Sequence, residues 1–265
     1  MSADPALTIT RLRKVFVTRQ RAVVEAIAGL SLSIAEGEVI AVLGPSGCGK
    51  SSLLRILAGL DAEYEGDIRW RVAHTGAGRL HGATVFQSDS TMPWMTIEKN
   101  MLLGLSGLPL PPAEKQRRVK ENLDLVGLAD FHRAYPHELS GGMRQRVAIA
   151  RALATDPMLL LMDEPLAALD AQTRLVMQQE LLSIWLRTRS TVVYVTHDIA
   201  EAVTLADRVV VMTRRPGRIK AIRDVPFPRE RDAIALRREQ AFRELEVDLW
   251  TMVTEEVGGD LKADV

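Results

Sequence analysis

Residues 44–51 read Gly-Pro-Ser-Gly-Cys-Gly-Lys-Ser: a glycine, four free positions, then Gly-Lys-Ser. Before them Glu38 to Leu43 has the apolar character of a buried strand, and after them Ser51 to Leu57 has helical periodicity. In that strand–loop–helix order the glycines can take positive φ, so that successive backbone N–H groups curl around an anion. The helix N-terminus adds unpaired donors and the positive end of its dipole. Lys50 supplies a point charge for the outer phosphates, and the Ser51 hydroxyl can complete a Mg²⁺ shell. A plain glycine turn is the bland alternative. The flanking elements favour a nucleoside-triphosphate cradle built from Gly44, Pro45, Ser46, Gly47, Cys48, Gly49, Lys50, Ser51 and Ser52.

Bulk properties narrow the classes around that cradle. The chain has 265 residues, enough for one large domain, or a domain with a subdomain, around a full core. Lys plus Arg equals Asp plus Glu at 34 each, so no overall field draws the chain toward nucleic acid or acidic lipid. A single cysteine forbids an internal disulfide and fits a reducing compartment. No run approaches the ~18 apolar residues needed to cross a bilayer. The first residues lack the basic and apolar regions of an export signal. A cytoplasmic protein is expected.

Residues 7–17 and 22–34 alternate apolar and polar about a charged turn at 19–21, which predicts an antiparallel β-layer beside the nucleotide core. Phe16 either stacks on a base there or is a half-buried strand aromatic. Strands are expected at 67–72 and 83–86, followed by Gln87, which could hold Mg²⁺ or orient water, or simply be solvated. Residues 105–112 contain three prolines and break the pattern. Helices are expected over 113–126 and about 140–155, so that 88–155 reads as a helical lobe inserted into an α/β core.

The apolar run ending in Met162-Asp163-Glu164-Pro165 suits a parallel strand covered on both faces. Open α/β sheets place ligand chemistry at the carboxyl ends of their strands. Asp163 there can bind Mg²⁺, directly or through water, and Glu164 can face an attacking water; a charged pair closing a strand is the alternative. Helix 170–187, strand 191–196, helix 199–205 and strand 208–212 follow, with His197 ending its strand as a phosphate contact or as an exposed structural histidine. Beyond Thr213 come Arg214, Arg215, Arg218, Arg223, Arg229 and Arg231, which read as a solvated basic face because acidic residues offset them. A helix is expected from about Asp232 to Glu256.

In this order the motifs resemble the ATP-binding subunit of an ABC transporter across nearly the whole chain. The most specific is Leu139-Ser140-Gly141-Gly142-Met143-Arg144-Gln145-Arg146, similar to the signature motif that separates ABC ATPases from other P-loop enzymes. Residues 44–51 match Walker A, Gln87 the Q-loop, 159–163 Walker B and Glu164 the catalytic carboxylate. Ala168-Leu169-Asp170 looks like the D-loop, His197 like the H-loop, and Phe16 falls where a base-stacking aromatic is expected. Tyr135-Pro-His-Glu, Thr196-His-Asp-Ile-Ala-Glu-Ala, Arg215-Pro-Gly-Arg-Ile and Val225-Pro-Phe-Pro-Arg-Glu-Arg look like the nitrate/sulfonate/taurine importer ATPases. Leu166-Ala167 departs from the Phe-Gly usual in those relatives, and residues 70–82 lack their strand–turn wording.

The resemblance implies a P-loop NTPase core of ABC ATPase type, with an antiparallel β-layer and an inserted helical signature subdomain. It implies one ATP-binding domain over 1–265, with the lobe at about 88–155 and a C-terminal extension at about 214–265. ATP and Mg²⁺ are the implied cofactors. Lys50, Gln87, Glu164 and His197 are the implied catalytic residues, with Ser51, Gln87 and Asp163 at the metal. Ser140, Gly141, Gly142 and Asp170 would meet the nucleotide across a head-to-tail homodimer. Integral-membrane permease subunits, and indirectly a periplasmic or surface solute-binding protein, are the implied partners; nucleic acid is not. Trp94 and Met95 would receive a permease helix, unless Trp94 is ordinary core. The chain would then sit peripherally on the cytoplasmic face of the inner membrane and energise import of a small anion such as nitrate, sulfonate or taurine. A soluble ABC-type switch acting on nucleic acid or protein complexes is the alternative, and the single nucleotide domain, neutral charge and importer-like tail count against it.

Overall fold

Strands β1 (Leu7–Val17) and β2 (Val23–Ile34) pair antiparallel and bury Leu7, Ile9, Leu12, Ile27, Leu30 and Ile34. The computed structural model describes residues 5–17, 21–71, 82–88 and 90–258. The turn expected at 19–21, the end of the strand expected at 67–72, most of 70–82 and the last residues of the C-terminal extension therefore lie at least partly outside the described residues.

Chain order continues with β3 (Val39–Leu43), α1 (Lys50–Leu57), β4 (Glu65–Trp70) and β5 (Gly82–Val85). The helical stretch carries α2 (Ile97–Gly104), α3 (Pro112–Leu125) and α4 (Gly141–Ala154). Then come β6 (Leu159–Asp163), α5 (Ala171–Thr188), β7 (Val192–Val195), α6 (Ile199–Leu205), β8 (Arg208–Met212), β9 (Ile219–Asp224), α7 (Ala233–Leu236) and α8 (Gln240–Gly258). A three-stranded sheet runs β2-β1-β4, and a six-stranded sheet runs β5-β6-β7-β3-β8-β9. The latter is parallel except for β9, which is antiparallel to β8.

The parallel sheet explains its own apolar runs. Alternate residues of each central strand enter different cores, so both faces must be hydrophobic. Val39, Ala41, Leu43, Val192 and Tyr194 join the core shared with α2–α6, while Ile40, Val42, Val193 and Val195 join α1 and the antiparallel layer. This sandwich brings the carboxyl ends of β3, β6 and β7 to one edge, because Val42 and Asp163 both pair with Val195.

Four features differ from the sequence reading. The strand expected at 67–72 is β4, which starts two residues earlier at Glu65 and joins β1 in the antiparallel layer. Helix α2 arises where no helix was expected: Thr96 caps it, and buried Asn100 donates to the Met92, Met95 and Thr96 carbonyls. Within the arginine-rich stretch, Ile219–Asp224 with Arg223 forms the edge strand β9, since its alternation of charged and apolar residues suits a half-exposed strand. The helix expected over 232–256 is two, because Arg238 and Glu239 close α7 with tight bonds to the Ala235 and Leu236 carbonyls.

Candidate nucleotide site

The loop after β3 keeps to the geometry that its glycines permit. Gly49 has φ 107° and caps α1, and a Cβ there would stand 2.9 Å from the Ala26 carbonyl oxygen. Lys50 is buried and its Nζ donates to the Gly44 and Pro45 carbonyls at 2.7 and 3.1 Å, folding the ammonium into its own loop. Beside it lies a cavity of about 450 Å³. Ser46, Gly47, Gly49, Lys50, Ser51 and Ser52 form one wall, Phe16, Val24 and Ala26 another, and Glu164 and Arg215 complete the rim. The cavity is thus apolar where a base would lie and donor-rich where phosphates would.

Phe16 is 41% exposed, and the Lys14 ammonium lies 4.8 Å from its ring centroid. Lys14 itself is only 2% exposed and donates to Asp61 Oδ1 at 2.7 Å and to the Glu63 carbonyl at 2.6 Å. A cation held over the ring fixes the aromatic platform.

Asp163 and Glu164 are set apart by position. Burial raises the Asp163 pKa, the Ser51 hydroxyl hydrogen-bonded to it works in the opposite direction, the Glu164 charge raises it further and Lys50 lowers it. A half-buried carboxylate beside a hydroxyl and a second carboxylate suits a hard cation that prefers oxygen donors, so Ser51 and Asp163 fit Mg²⁺. Among the described residues no group of three His, Cys, Asp or Glu could hold a metal alone. Magnesium would therefore take further ligands from phosphate and water, as it does in nucleotide sites.

Glu164 adopts φ 47°, a left-handed conformation that costs a non-glycine residue about 1–3 kcal/mol. Its N–H donates to the Val195 carbonyl at 2.9 Å, which holds that backbone across the ends of β6 and β7. The Glu164 Oε2 lies 3.1 Å from His197 Nδ1. His197 stands two residues beyond β7, with its side chain 65% exposed. Its loop is braced from beneath: Glu201, 3% exposed, accepts hydrogen bonds from the Tyr194 and Thr196 hydroxyls.

The other expected residues lie elsewhere. Gln87 is exposed past β5 and does not line the cavity. Ser140 caps α4, its hydroxyl accepting from Met143 N–H at 3.3 Å, and Gly141 and Gly142 follow it. A Cβ on Gly142 would stand 3.1 Å from Thr173 Cγ2, so this glycine lets α4 approach α5 closely. Asp170 caps α5 through bonds from the Gln172 and Thr173 amides. None of these four lines the cavity. Trp94 is 70% exposed, so it is not core. Cys48 is buried under the loop, and burial raises its thiol pKa. Sequence reasoning missed Lys14 and Arg215 as neighbours of the site; the only signals were a lysine two residues before Phe16 and an arginine after β8.

Fold and cavity together define a P-loop ATPase. Residues 27–167 match the ABC transporter family. An uncharacterised ABC transporter ATP-binding protein of Methanocaldococcus jannaschii is 48% identical over 233 residues, 87% of this chain and 86% of that one. An aliphatic sulfonates import ATP-binding protein, SsuB, of Bacillus cereus is 42% identical over 82% of this chain and 86% of its own length. A dimeric ATP-binding cassette solved in a post-hydrolysis state with ADP and Pi superposes with a TM-score of 0.69 at 30% identity, covering 84% of this chain and 100% of that one. The chain belongs to the ABC transporter family, and it is an ATP-hydrolysing subunit with the ABC ATPase fold. Among the described residues no helix is long and apolar enough to cross a membrane.

Proposed function

We propose that this ATPase drives import of a small anion, a sulfonate foremost, through a separate integral-membrane permease. The observation that carries this reading is the division of the site. The cavity holds Lys50, Ser51 and Glu164, whereas Ser140, Gly141 and Gly142 are kept off its wall on a different helix. A second copy placed head to tail would bring those donors to the nucleotide, and the dimeric state of a related cassette supports that arrangement. The similarity to a sulfonate importer's ATPase supports the solute class.

In this reading all 265 residues form one ATP-binding domain, with 88–155 as the inserted lobe and 214–265 as an extension. The chain sits peripherally on the cytoplasmic face of the membrane. Phosphoryl transfer to water needs positioning and charge neutralisation more than covalent help. The Gly47 and Gly49 region and Lys50 bind the phosphates, and Ser51 and Asp163 would hold Mg²⁺, which supplies further charge neutralisation. Gln87 reaches the metal or the water only if the segment after β5 turns inward on dimerisation. Glu164 accepts the proton of the attacking water as general base. His197, already bonded to Glu164, orients that carboxylate and contacts the outer phosphate.

The test is ATP turnover by the purified chain, alone and reconstituted in lipid with a candidate permease and a sulfonate-loaded binding protein. Low basal turnover that rises with the complete system supports import. Turnover indifferent to any permease, or stimulated by nucleic acid, would overturn it.

A further inference from the structure

The turn between β8 and β9, residues 213–218, is anchored from two sides. On the inner side Gly217 N–H donates to the Ala26 carbonyl at 2.9 Å, and its carbonyl accepts from Ala28 N–H at 3.0 Å. The turn passes so close beneath the phosphate loop that a Cβ on Gly217 would stand 2.0 Å from the Cys48 carbonyl oxygen. No side chain fits there. On the outer side the last turn of α8 clamps it. Glu256 Oε2 accepts from Arg214 N–H at 3.0 Å, while Glu256 Oε1 pairs with Lys220 Nζ at 2.8 Å. Lys220 also donates to the Met252 carbonyl at 2.9 Å and to Glu255 at 2.8 Å.

Between these anchors Arg215 extends onto the phosphate loop. Its Nε and Nη2 both reach the Gly47 carbonyl oxygen at 3.3 Å, and its side chain lines the same cavity as Phe16, Lys50 and Glu164. Two long bonds shared by one neutral carbonyl leave most of the five guanidinium donors uncommitted. Among the described residues Arg215 pairs with no carboxylate. An always-charged, planar fork beside a phosphate cradle matches a phosphate oxygen far better than it matches one backbone carbonyl.

We propose that Arg215 contacts the phosphate chain of bound nucleotide, and that Glu256 of the C-terminal helix positions it by holding the turn that carries it. This rests on the reading of the cavity as the ATP site. The C-terminal extension thereby gains a role, since α8 sets nucleotide affinity through residues 213–218 without itself entering the cavity.

The test is calorimetric titration of the full-length chain with MgADP and with a non-hydrolysable MgATP analogue, adenosine serving as the uncharged probe. R215A raises Kd for both nucleotides about tenfold and leaves adenosine binding unchanged, as loss of a charge-assisted phosphate contact requires. R215K, which keeps charge but loses the fork, falls between. E256Q raises the KM for ATP about threefold with kcat unchanged, the partial loss expected when the fork is left intact but poorly positioned. That shift disappears when E256Q is made in the R215A background. Thermal melts of each variant confirm that it is folded.

Wild-type nucleotide affinity in R215A, with K50A binding lost, would overturn the Arg215 contact and leave the cavity assignment standing. Wild-type affinity in K50A as well would overturn the cavity assignment itself. An undiminished E256Q effect in the R215A background would overturn the positioning role of Glu256.

Discussion

The phosphate loop and the signature loop are built on the same local device and end in opposite states. Each places a short polar stretch at the start of a helix, α1 after Gly49 and α4 after Ser140. The first is enclosed: its walls come from β1, β2, the end of β6 and the turn after β8, and Lys50 is folded onto Gly44 and Pro45. The second is capped by its own serine and packed from below by Leu169 and Thr173, yet it borders no part of that cavity. One set of donors therefore lines the cavity within the chain, and the other is held on its own helix away from it. A pre-organised donor set with no ligand of its own is what a shared, intermolecular site requires.

The contrast is tested most severely at Glu164. E164Q should lower turnover by about 10²–10⁴, the range for loss of a positioned general base, while nucleotide still binds. Phosphate release with size-exclusion chromatography reads both, and an ATP-bound dimer should accumulate; wild-type turnover would remove Glu164 from the role. Next is K50A. Loss of a charge-assisted contact worth about 1.5–3 kcal/mol should weaken nucleotide binding roughly 10–100-fold, even at concentrations where the chain is monomeric. S140A should do the reverse. Nucleotide affinity of the dilute monomer should stay within about twofold, while turnover at high protein concentration falls about tenfold, because the lost donor acts in the partner's site. Weakened binding in the dilute monomer would place Ser140 on its own chain's nucleotide and erase the contrast. Part of any melting shift in S140A belongs to the lost helix cap, about 1 kcal/mol.

The two halves also differed in how far they could be read from sequence. The phosphate loop, β8 and α6 are legible because local order fixes them: a glycine pattern, a continuous apolar run, and a capped helix at 199–205 matching its expected bounds. The resemblance supplied the signature residues. What escaped depends on contacts between distant segments. Lys14 reads as a polar residue on a strand until Asp61 and Glu63 bury it. Arg215 reads as one of several solvated arginines until the β8–β9 turn is laid beneath the phosphate loop. β9 itself is hidden because a half-exposed edge strand interleaves charges, here Lys220 and Arg223, with its apolar residues. Gln87 is legible as a residue but not as a placement, since the strand before it delivers it to the right sheet edge and leaves it exposed.

The smallest expected effect concerns how the enclosed half is held. Glu201 is buried behind the His197 loop, where burial raises its pKa first and foremost, against the lowering effect of the Thr196 and Tyr194 hydroxyls. Asp198 adds to the rise and Arg174 opposes it. A carboxyl held above its ordinary range in the folded protein binds its proton more tightly there than in the unfolded chain. Its contribution to stability is therefore full below the ordinary carboxylate range and is lost as pH rises through the raised value. E201Q cannot titrate, so the melting-temperature difference between wild type and E201Q should move against wild type as pH climbs across that window. The shift should be a few degrees, since about 1 kcal/mol corresponds to ~2–4 °C in a domain of this size. A difference that stays constant with pH would show that Glu201 is not carrying that titration. Catalysis separates this brace from the chemistry it supports. E201Q should lower kcat only as far as it loosens His197, leaving nucleotide Kd untouched. A change in Kd would tie the β7 end to the phosphate cradle more directly than the geometry places it.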